Sequence, residues 1–483
     1  MAVAAAGQAR RRTTPTTSEY FKASLQWGVR WCAAIGCAVS LTSCVDCQDT
    51  ATQPAAQAKK PNVILLLVDT LRADHLGCYG YFRPTSPGID SFAADSLLFE
   101  RARSQAACTF PSVNSLLTSR YGALFLFQPN GYMGITDGTP TLPEILRSNG
   151  YATAAFSASP IVRATPSKEN PDAGFGRGFE VFDESCLFRD AECLIGKALR
   201  WVDGTDGPFF LYLHFMETHD PYAPPSSHPR RFAGAFDGPD FISRGDPNPI
   251  AEMVYDDGPV IEVSKRDLAQ LLDLYDEEIA YFDEQFDHLM DELVRLGVLK
   301  DSVVILASDH GEEFMEHGDH IKHCRVLYDT STRVPLIVRI PGMSGRRIAT
   351  AVANLDIMPT VLDYLGIPHD GLPLSGRSLR SLIEGTDRQL RVVFSDQGKW
   401  RSADDGRFKL MLDAAEMVPA LFDLRLDPLE LTDVHDSAPG IGHQLRPELE
   451  RWLIATEGGV GSSTALKAGQ QAEERLRALG YIQ

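Results

Sequence analysis

Uninterrupted apolar runs and long stretches of helical periodicity alternate along this chain. The runs at Asn62–Val68 and at residues 303–307 predict strands buried on both faces, because apolar residues follow one another directly and the runs are too short for helices. In contrast, apolar residues recur at every third or fourth position through residues 264–299, which predicts a long amphipathic helix packed on the core. Residues 86–96 have similar spacing. We therefore expect an open α/β sheet.

Polar residues follow both predicted strands directly. Asp69 comes after the first strand, and Asp309 and His310 come just after the second. Ligands of open α/β sheets bind just beyond the carboxyl ends of the strands. An adjacent aspartate and histidine can place a carboxylate oxygen and an imidazole nitrogen on one cation. The alternatives are a solvated polar loop for the pair and a helix cap for Asp69. More basic side chains follow soon after: His317, His320, Lys322 and His323.

A further candidate lies at the start of another predicted helix. Pro111 suits the first helical position, where its missing N–H group costs nothing, so Thr109 would lie beside the helix N-terminus. The exposed amides and the helix dipole at such an end favour an anion or a developing oxyanion. In the alternative interpretation, Thr109 only caps the helix.

The charge of the chain limits its partners. The 483 residues carry a formal net charge of −19, and the N-terminal segment is basic, so the remainder is more acidic still. This charge argues against a polyanion such as DNA, although a local cationic patch can still steer a small anion. The length allows up to three domains, but large α/β enzymes often form fewer.

The N-terminal segment predicts export. Basic residues from Arg10 to Arg30 precede an apolar run at residues 31–41, which is too short to span a bilayer and has the length of a signal-peptide core. The run ends in Leu-Thr-Ser-Cys, which resembles a bacterial lipoprotein box with Cys44 as the lipidated residue. We interpret residues 1–44 as this signal and residues 45–60 as a flexible tether. They predict an exported periplasmic or cell-surface lipoprotein attached to a bacterial membrane; an ordinary cleaved signal or a single membrane anchor is the alternative.

The cysteines fit an oxidising compartment. Nine are present. Two precede Cys44 within the predicted signal, so six remain that can pair after export. Cys186 and Cys193 are close enough in sequence to close a small loop, and the connectivity of the others stays open.

Three segments together resemble the sulfatase family, within the alkaline-phosphatase-like superfamily. They are residues 61–80, PNVILLLVDTLRADHLGCYG, residues 109–121, TFPSVNSLLTSRY, and residues 303–323. Residues 209–224, FFLYLHFMETHDPYAP, also resemble the family's strand and the His-x-Pro-Tyr turn after it. The resemblance extends from about residue 60 to the end of the chain.

The resemblance implies a fold and its divisions. We expect one large mixed β-sheet flanked by helices on both faces, of the alkaline phosphatase-like kind, as a catalytic domain at residues 61–390. A small C-terminal antiparallel-sheet subdomain with a closing helix is expected at residues 391–483. Its last residues, 471–483, would form a helix that docks on the body.

One departure from the family concerns the nucleophile. Active sulfatases oxidise a cysteine two residues before the proline of the second segment to formylglycine. This chain has Thr109 at that position and Cys108 one residue earlier, so no formylglycine is expected. Val113 and Thr70 also replace an arginine and an aspartate that many sulfatases carry.

Threonine is the nucleophile in related phosphodiesterases and phosphoethanolamine transferases. The resemblance therefore implies a single-metal core of Asp69, Thr109, Asp309 and His310. A dication lowers the pKa of bound water to about 7, and coordination should act on the threonine hydroxyl in the same direction. Two carboxylate oxygens and one nitrogen suit Zn²⁺ or Mn²⁺, whereas Ca²⁺ would need further oxygens from water or substrate.

Basic residues would act on the transferring group and on the leaving oxygen. Lys322 and the helix N-terminus would neutralise the oxygens of the transferring group. The resemblance implies that His219 protonates the leaving oxygen, although a role in holding a turn is the alternative. His320 or His323 would add a metal ligand or contact the anion, whereas His214, within a strand, is interpreted as structural.

These residues together predict an exported, metal-dependent hydrolase of sulfate or phosphate esters that forms a covalent ester on Thr109. Its substrate would be a small anionic ester or a sulfated or phosphorylated glycan or lipid, and the loop at residues 224–259 would help to select it. The lost cysteine leaves open a catalytically inactive, glycan-binding lipoprotein of the same fold. A phosphoethanolamine-type transferase is a third alternative.

Overall fold

The strands that the hydrophobic pattern predicts form a central sheet, and candidate site residues follow the carboxyl ends of two of these strands. The computed structural model describes residues 60–122, 135, 138–168, 170, 173–232, 264–318, 321–387, 389, 391–414 and 416–457. They lie within a single unit that spans Ala58–Gln483. The predicted signal, almost all of the tether, most of the predicted loop at 224–259 and the predicted helix at 471–483 lie outside the described residues. No helix in the described ranges has the length and apolarity that crossing a bilayer requires.

Strands and helices follow one another along the described part of the chain. The strands are β1 (Asn62–Val68), β2 (Leu97–Phe99), β3 (Ala102–Arg103), β4 (Ala152–Ser157), β5 (Val181–Asp183), β6 (Phe209–Phe215), β7 (Ser302–Ser308), β8 (Glu313–Phe314), β9 (Ile321–Lys322), β10 (Arg333–Val334), β11 (Leu336–Arg339), β12 (Arg346–Ile348), β13 (Val352–Ala353), β14 (Val393–Gln397), β15 (Trp400–Asp404), β16 (Phe408–Asp413) and β17 (Val418–Asp423). The helices are α1 (Pro87–Ala94), α2 (Thr109–Thr118), α3 (Leu142–Ser148), α4 (Ala191–Asp203), α5 (Lys265–Arg295), α6 (Asp329–Thr332), α7 (Ile357–Tyr364), α8 (Arg380–Ile383) and α9 (Pro439–Glu457).

The central sheet has eight strands in the order β12-β2-β11-β7-β1-β6-β4-β5. The strands from β7 to β5 run parallel, whereas β11 pairs antiparallel with both β7 and β2, so the sheet is mixed. Val68 at the end of β1 is level with Phe215 of β6 and Ser308 of β7. The segments that follow these three strands therefore leave the sheet side by side.

Alternate residues of β1 pack against opposite helical layers, which explains why the run is continuously apolar. Leu65 and Leu67 belong to the cluster that includes residues of α2, α3 and α7. Leu66 and Val68 belong to the cluster on the other face, with residues of α1, α4 and α5. This arrangement confirms the predicted mixed sheet with helices on both faces.

The predicted strands and the long helix are confirmed with small changes in their limits. β1 has the predicted bounds, and β7 extends one residue further at each end. α5 begins after Ser264, whose side chain forms a capping box with Asp267. The helix ends at Arg295, short of the predicted residue 299, because Gly297 adopts a left-handed φ of 72°.

A separate four-stranded antiparallel sheet, β14-β15-β16-β17, follows in the chain. Leu410 and Leu421 of this sheet pack against Leu449 and Trp452 of α9. The predicted small C-terminal sheet is therefore confirmed. The domain division at residue 390 stays a prediction.

Candidate active site

Three neighbouring strands end in side chains that can bind a cation. Asp69 follows β1, Asp309 follows β7, and His214 is the last residue but one of β6. All three are buried, and one ligand atom of each lies within 4.8 Å of the others. They meet because β1 lies between β6 and β7 in the sheet.

Thr109 joins them from the first turn of α2. Its Oγ1 atom donates to Asp69 Oδ2 at 3.2 Å and lies 3.2 Å from His310 Nε2. His310 Nε2 in turn lies 3.6 Å from Asp69 Oδ1 and 3.5 Å from Asp309 Oδ2. We call Asp69, Thr109, His214, Asp309 and His310 the carboxylate cluster. The four residues of the predicted metal core therefore lie in contact, although they are far apart in sequence.

The helix that carries Thr109 begins earlier than the sequence indicates. Thr109 is its first residue, and Cys108 is the N-cap without a side-chain hydrogen bond to the helix. The predicted start at Pro111 is therefore wrong by two residues. The alternative in which Thr109 only caps the helix is wrong as well, because Thr109 lies within the helix. Pro111 still lies in the first turn, where backbone N–H groups have no acceptor within the helix.

Cys108 forms a disulfide with Cys324, a pairing that the sequence had left open. Cys186 pairs with Cys193, as their short separation predicts. The sulfur next to Thr109 is thus already bonded to another sulfur. The hydroxyl of Thr109 is therefore the polar group that this segment directs toward the carboxylates.

Two buried carboxylates face each other in the carboxylate cluster. Burial opposes a charge on Asp69, but the hydrogen bond from His214 and the nearby His219 hold the pKa of its carboxyl below the ordinary range. Burial and the charge of Asp69 raise the pKa of Asp309 well above its ordinary value. Among the described residues, Asp69 Oδ1 and Asp309 Oδ2 have no hydrogen-bond partner. Two such oxygens fit a cation, which would relieve their repulsion and replace the missing contacts.

The protonation of His310 suits a metal ligand. Its Nδ1 atom lies 2.9 Å from the Gly311 carbonyl oxygen, which accepts a hydrogen bond from Nδ1–H and leaves the Nε2 lone pair facing Thr109. Burial, assisted by nearby His323, lowers the pKa of His310 to about 3. A neutral imidazole with a free lone pair is the form that binds a divalent metal.

His214 is the site residue that sequence reasoning missed. Its Nε2 atom lies 3.3 Å from Asp69 Oδ2, and its Nδ1 atom lies 2.8 Å from the Tyr212 hydroxyl. Burial raises the pKa of Tyr212 well above its ordinary value, so its phenol stays neutral and can donate to Nδ1, which leaves Nε2–H to donate to Asp69 Oδ2. The usable signal was one histidine near the carboxyl end of an otherwise apolar strand, FFLYLHF.

A second group, which we call the lysine cluster, comes from the loop after β6 and from β9. It consists of His219, Asp220, Lys322 and His323. Lys322 Nζ forms a buried ion pair with Asp220 Oδ2 at 2.9 Å. Burial opposes a charge on Asp220, but Lys322 outweighs it and lowers the pKa of the carboxyl to about 2. His219 Nδ1 lies 2.7 Å from the Asp220 carbonyl oxygen, a contact that orients the ring.

His323 connects the two clusters. Its ring centroid lies 4.5 Å from that of His310 and 5.0 Å from that of His219. His323 Nδ1 lies 2.9 Å from Glu312 Oε1, and Tyr222 donates to Glu312 Oε2 at 2.8 Å. Burial opposes a charge on His323, but Glu312 outweighs it and raises the pKa of the imidazole. The imidazole of His323, oriented by Glu312, therefore lies between His310 of the carboxylate cluster and His219.

Two further histidines belong to the predicted segment, His317 and His320. His320 lies outside the described residues. His317 stacks on Tyr328 with ring centroids 3.5 Å apart, and its Nδ1 atom lies 3.0 Å from Glu313 Oε2. His317 is therefore a structural contact between two loops.

A cavity of about 450 Å³ lies between the start of α4, the loop after β6 and α5. Phe188 and Tyr281 contribute to its apolar wall, and Asp190 and Glu284 contribute to its polar wall. The Phe188 ring packs edge-on against His219 with centroids 5.6 Å apart. One wall residue of the cavity, Phe188, therefore contacts His219.

Family models match most of the chain. The model described as Sulfatase matches residues 61–367, and the model described as N-sulphoglucosamine sulphohydrolase, C-terminal, matches residues 316–454. Iduronate 2-sulfatase of Mus musculus is 26% identical over 355 residues, which are 62% of this chain and 62% of that relative. The chain thus spans about three fifths of the length of this relative.

Two solved structures share the fold. A protein solved in complex with its substrate D-glucosamine-2-N,6-O-disulfate has a TM-score of 0.69 and 18% identity, and the match covers 85% of this chain and 100% of that one. Phosphonate monoester hydrolase of Agrobacterium radiobacter has a TM-score of 0.64 and 23% identity, with 82% and 95% covered. At these identities the likeness establishes the fold alone.

Proposed function

The chain belongs to the sulfatase family, and from this premise we propose that it is a metal-dependent hydrolase of sulfate or phosphate esters with Thr109 as the nucleophile. The observation that carries the proposal is the position of Thr109 Oγ1, 3.2 Å from both Asp69 Oδ2 and His310 Nε2. A hydroxyl held between a buried carboxylate and a neutral imidazole at a helix N-terminus is placed for nucleophilic attack.

Asp69, Asp309 and His310 would hold one dication, with Thr109 and His214 beside it. The two carboxylate oxygens, which have no hydrogen-bond partner among the described residues, and the His310 nitrogen form a mixed oxygen and nitrogen set that Zn²⁺ and Mn²⁺ accept. Ca²⁺ prefers six to eight oxygens, more than the described side chains of this cluster offer. When bound, the dication would lower the pKa of the Thr109 hydroxyl and neutralise charge on the transferring group.

The residues of both clusters then divide the reaction between them. Thr109 Oγ1, oriented by its hydrogen bond to Asp69 Oδ2, bonds to sulfur or phosphorus while the bond from that atom to the leaving oxygen breaks, and the proton of Thr109 is released to water. His219, oriented through Nδ1, gives a proton to the leaving oxygen. Water then cleaves the ester on Thr109 and regenerates the hydroxyl. Lys322 and His323 add positive charge beside the transferring oxygens.

We propose a sulfated or phosphorylated sugar, or a smaller anionic ester, as substrate. The structural neighbour solved with D-glucosamine-2-N,6-O-disulfate supports a sulfated sugar, and phosphonate monoester hydrolase supports a phosphorus ester. The cavity lined by Phe188 would receive the alcohol portion, because Phe188 contacts His219, the residue proposed to protonate the leaving oxygen.

Replacement of Thr109 tests the proposal most directly. We expect Thr109→Ala to lower turnover of nitrophenyl sulfate, phosphate or phosphodiester by roughly 10³-fold or more, because the nucleophile is lost. Thr109→Ser keeps a hydroxyl and should keep part of the activity. Thr118→Val is the matched control, since it removes a hydroxyl from the same helix that only bonds the Asn114 carbonyl. Unchanged turnover in Thr109→Ala would exclude this mechanism.

The same substrates distinguish the two alternative functions. Stoichiometric metal binding without turnover of any ester would favour an inactive, glycan-binding protein. Appearance of the phosphoryl group on an added glycan or lipid, with none released to water, would favour a transferase. Release of free sulfate or phosphate supports the hydrolase.

We further propose that the protein is exported and anchored through a lipid on Cys44. Two disulfides support an oxidising compartment. In a bacterial host, the wild-type protein should incorporate a labelled fatty acid and sediment with membranes, whereas Cys44→Ser should do neither. A wild-type protein that takes up no label would rule out the lipoprotein.

A further inference from the structure

One covalent bond joins the carboxylate cluster to the lysine cluster. Cys108, directly before Thr109, is bonded to Cys324, directly after His323. The two cysteines lie 216 residues apart in sequence, and both are buried. The bond therefore connects the start of α2 with the segment that follows β9, two parts of the site that the chain itself does not hold close.

The segment at the end of β9 has an unfavourable backbone conformation. Lys322 has a φ of 89° and Cys324 has a φ of 71°. Residues with a Cβ atom adopt such left-handed conformations only when the surrounding structure imposes them. The segment that carries Lys322 and His323 therefore needs restraints from outside its own sequence.

Contacts around the disulfide supply some of these restraints. The backbone N–H of Cys324 donates to the Ala107 carbonyl at 2.7 Å. Gln397, at the end of β14, donates to the Cys324 carbonyl at 3.0 Å, and its Nε2 atom lies 3.8 Å from Cys108 Sγ. The disulfide is thus the covalent part of a link in which the C-terminal sheet also takes part.

We infer that this link is a positioning element for the reaction, which sets Thr109 relative to Lys322 and His323. The inference rests on the function proposed above. Displacement of a reacting group by about 1 Å can cost roughly 100-fold in rate, so loss of the link should lower turnover. Asp69 and Asp309 follow β1 and β7 and belong to neither linked segment, so metal affinity should depend on the link much less.

The second disulfide offers a comparison within the same chain. Cys186 and Cys193 are separated by 7 positions and close a small loop at the start of α4. Neither cysteine is a sequence neighbour of a residue in the two clusters. The loop carries Phe188, which contacts His219, so KM rather than kcat is the quantity that its loss could change.

The test compares two double variants with wild-type protein loaded with Mn²⁺ or Zn²⁺. We expect Cys108→Ala/Cys324→Ala to lower kcat per folded molecule by roughly 10- to 100-fold, with the Kd for Co²⁺ changed by less than about threefold. Cys186→Ala/Cys193→Ala should keep kcat within about threefold of wild type, because it leaves Thr109 and Lys322 in place.

Loss of a cross-link between distant positions also frees the unfolded chain, so the first variant could fail to fold. Cys108→Ala/Cys324→Gly guards against this outcome, because glycine adopts a φ of 71° without strain. Sucrose in the assay favours the compact state, and kcat is measured well below the Tm of each variant.

The outcomes separate this inference from the proposed function. A folded variant without the link that keeps wild-type kcat would overturn the inference and leave a purely structural disulfide. A fall in Co²⁺ affinity as large as the fall in kcat would overturn it as well, because the link would then shape the metal core. If the wild-type protein turns over no ester, the proposed function fails and the inference fails with it.

Discussion

The carboxylate cluster and the lysine cluster balance their charges in different ways. In the carboxylate cluster, Asp69 Oδ1 and Asp309 Oδ2 have no hydrogen-bond partner among the described residues. In the lysine cluster, Lys322 is paired with Asp220, and His323 is paired with Glu312. The first cluster therefore fits the proposed cation, whereas the second contains its own counter-charges.

The two clusters also rest on different supports. The carboxylates follow the central strands β1 and β7, whose register places them side by side. The lysine cluster comes from a loop and from a segment with left-handed residues that a disulfide restrains. We therefore expect changes in the first cluster to abolish metal binding and turnover together, and changes in the second to alter proton transfer and position while metal binding persists.

The largest effect should come from removal of one charge in the carboxylate cluster. We expect Asp69→Asn to lower turnover by roughly 10³-fold, because it weakens both metal binding and transition-state stabilisation. Chelation should lower the Tm of the wild-type protein, since a bound ligand stabilises the folded state, but should leave the Tm of Asp69→Asn unchanged. Without metal, Asp69→Asn should be the more stable protein, because the repulsion with Asp309 is gone.

Asp220→Asn is the matched control, since it removes a carboxylate from the lysine cluster. Its Tm should still fall on chelation, whatever happens to its turnover. If chelation lowers the Tm of Asp69→Asn as much as that of wild type, the proposed difference between the two clusters is wrong.

A smaller effect is expected from His219. His219→Gln should lower turnover of an alkyl ester by roughly 100-fold, because general acid catalysis typically contributes that much or more. Nitrophenyl esters, whose leaving group needs no proton, should lose much less activity. The ratio of the two rates is the measurement, and Kd for Co²⁺ should not change. An equal loss on both classes of ester would assign His219 to structure.

The smallest effect is expected from Glu278, whose partner Arg189 contacts the loop that carries His219 and Asp220. Glu278 of α5 lies 3.0 Å from Arg189 Nη1, which also contacts the Pro221 carbonyl. Burial raises the pKa of Glu278 to about 8, although Arg189 acts against this shift. The folded state holds this proton to higher pH than the unfolded state does. Glu278 therefore makes its full contribution to the free energy of unfolding below pH 4.5, the ordinary pKa, and this contribution is lost as the pH rises through about 8.

Glu278→Gln removes this titration and should flatten the fall of Tm between pH 5 and pH 9. We expect the variant to melt roughly 1–3 °C above wild type at pH 9. Glu292→Gln, at a half-buried position of the same helix, should follow the wild-type curve. If the Tm of Glu278→Gln falls with pH as steeply as that of wild type, the pair with Arg189 keeps Glu278 ionised from pH 5 to pH 9 and the prediction is wrong.

Local patterns predicted much of the fold. β1 and β7 were predictable because a buried parallel strand reads as a continuous apolar run, and α5 because its apolar stripe repeats with the helical period. The exact start of α2 was not predictable, because proline is tolerated throughout the first turn of a helix and so does not mark one position. The predicted start places Thr109 beside the helix N-terminus, whereas the structure makes it the first helical residue.

Long-range contacts explain what the sequence could not predict about the site. His214 was interpreted as structural because its own strand is apolar, and only the pairing of β6 with β1 places it 3.3 Å from Asp69. The partner of Cys108 lies 216 residues away, a separation at which spacing carries no information about pairing. Both features depend on strand order and loop path.

The sequence by itself determined the elements and the chemical groups that this protein can use, because burial and periodicity act on neighbouring residues. It also indicated that a threonine stands where the family has a cysteine. Only the tertiary structure decided which groups meet: strand order brings His214 to the carboxylates, and the disulfide brings Lys322 and His323 toward Thr109. These contacts join distant parts of the chain, so their energies depend on the whole fold and leave no local pattern.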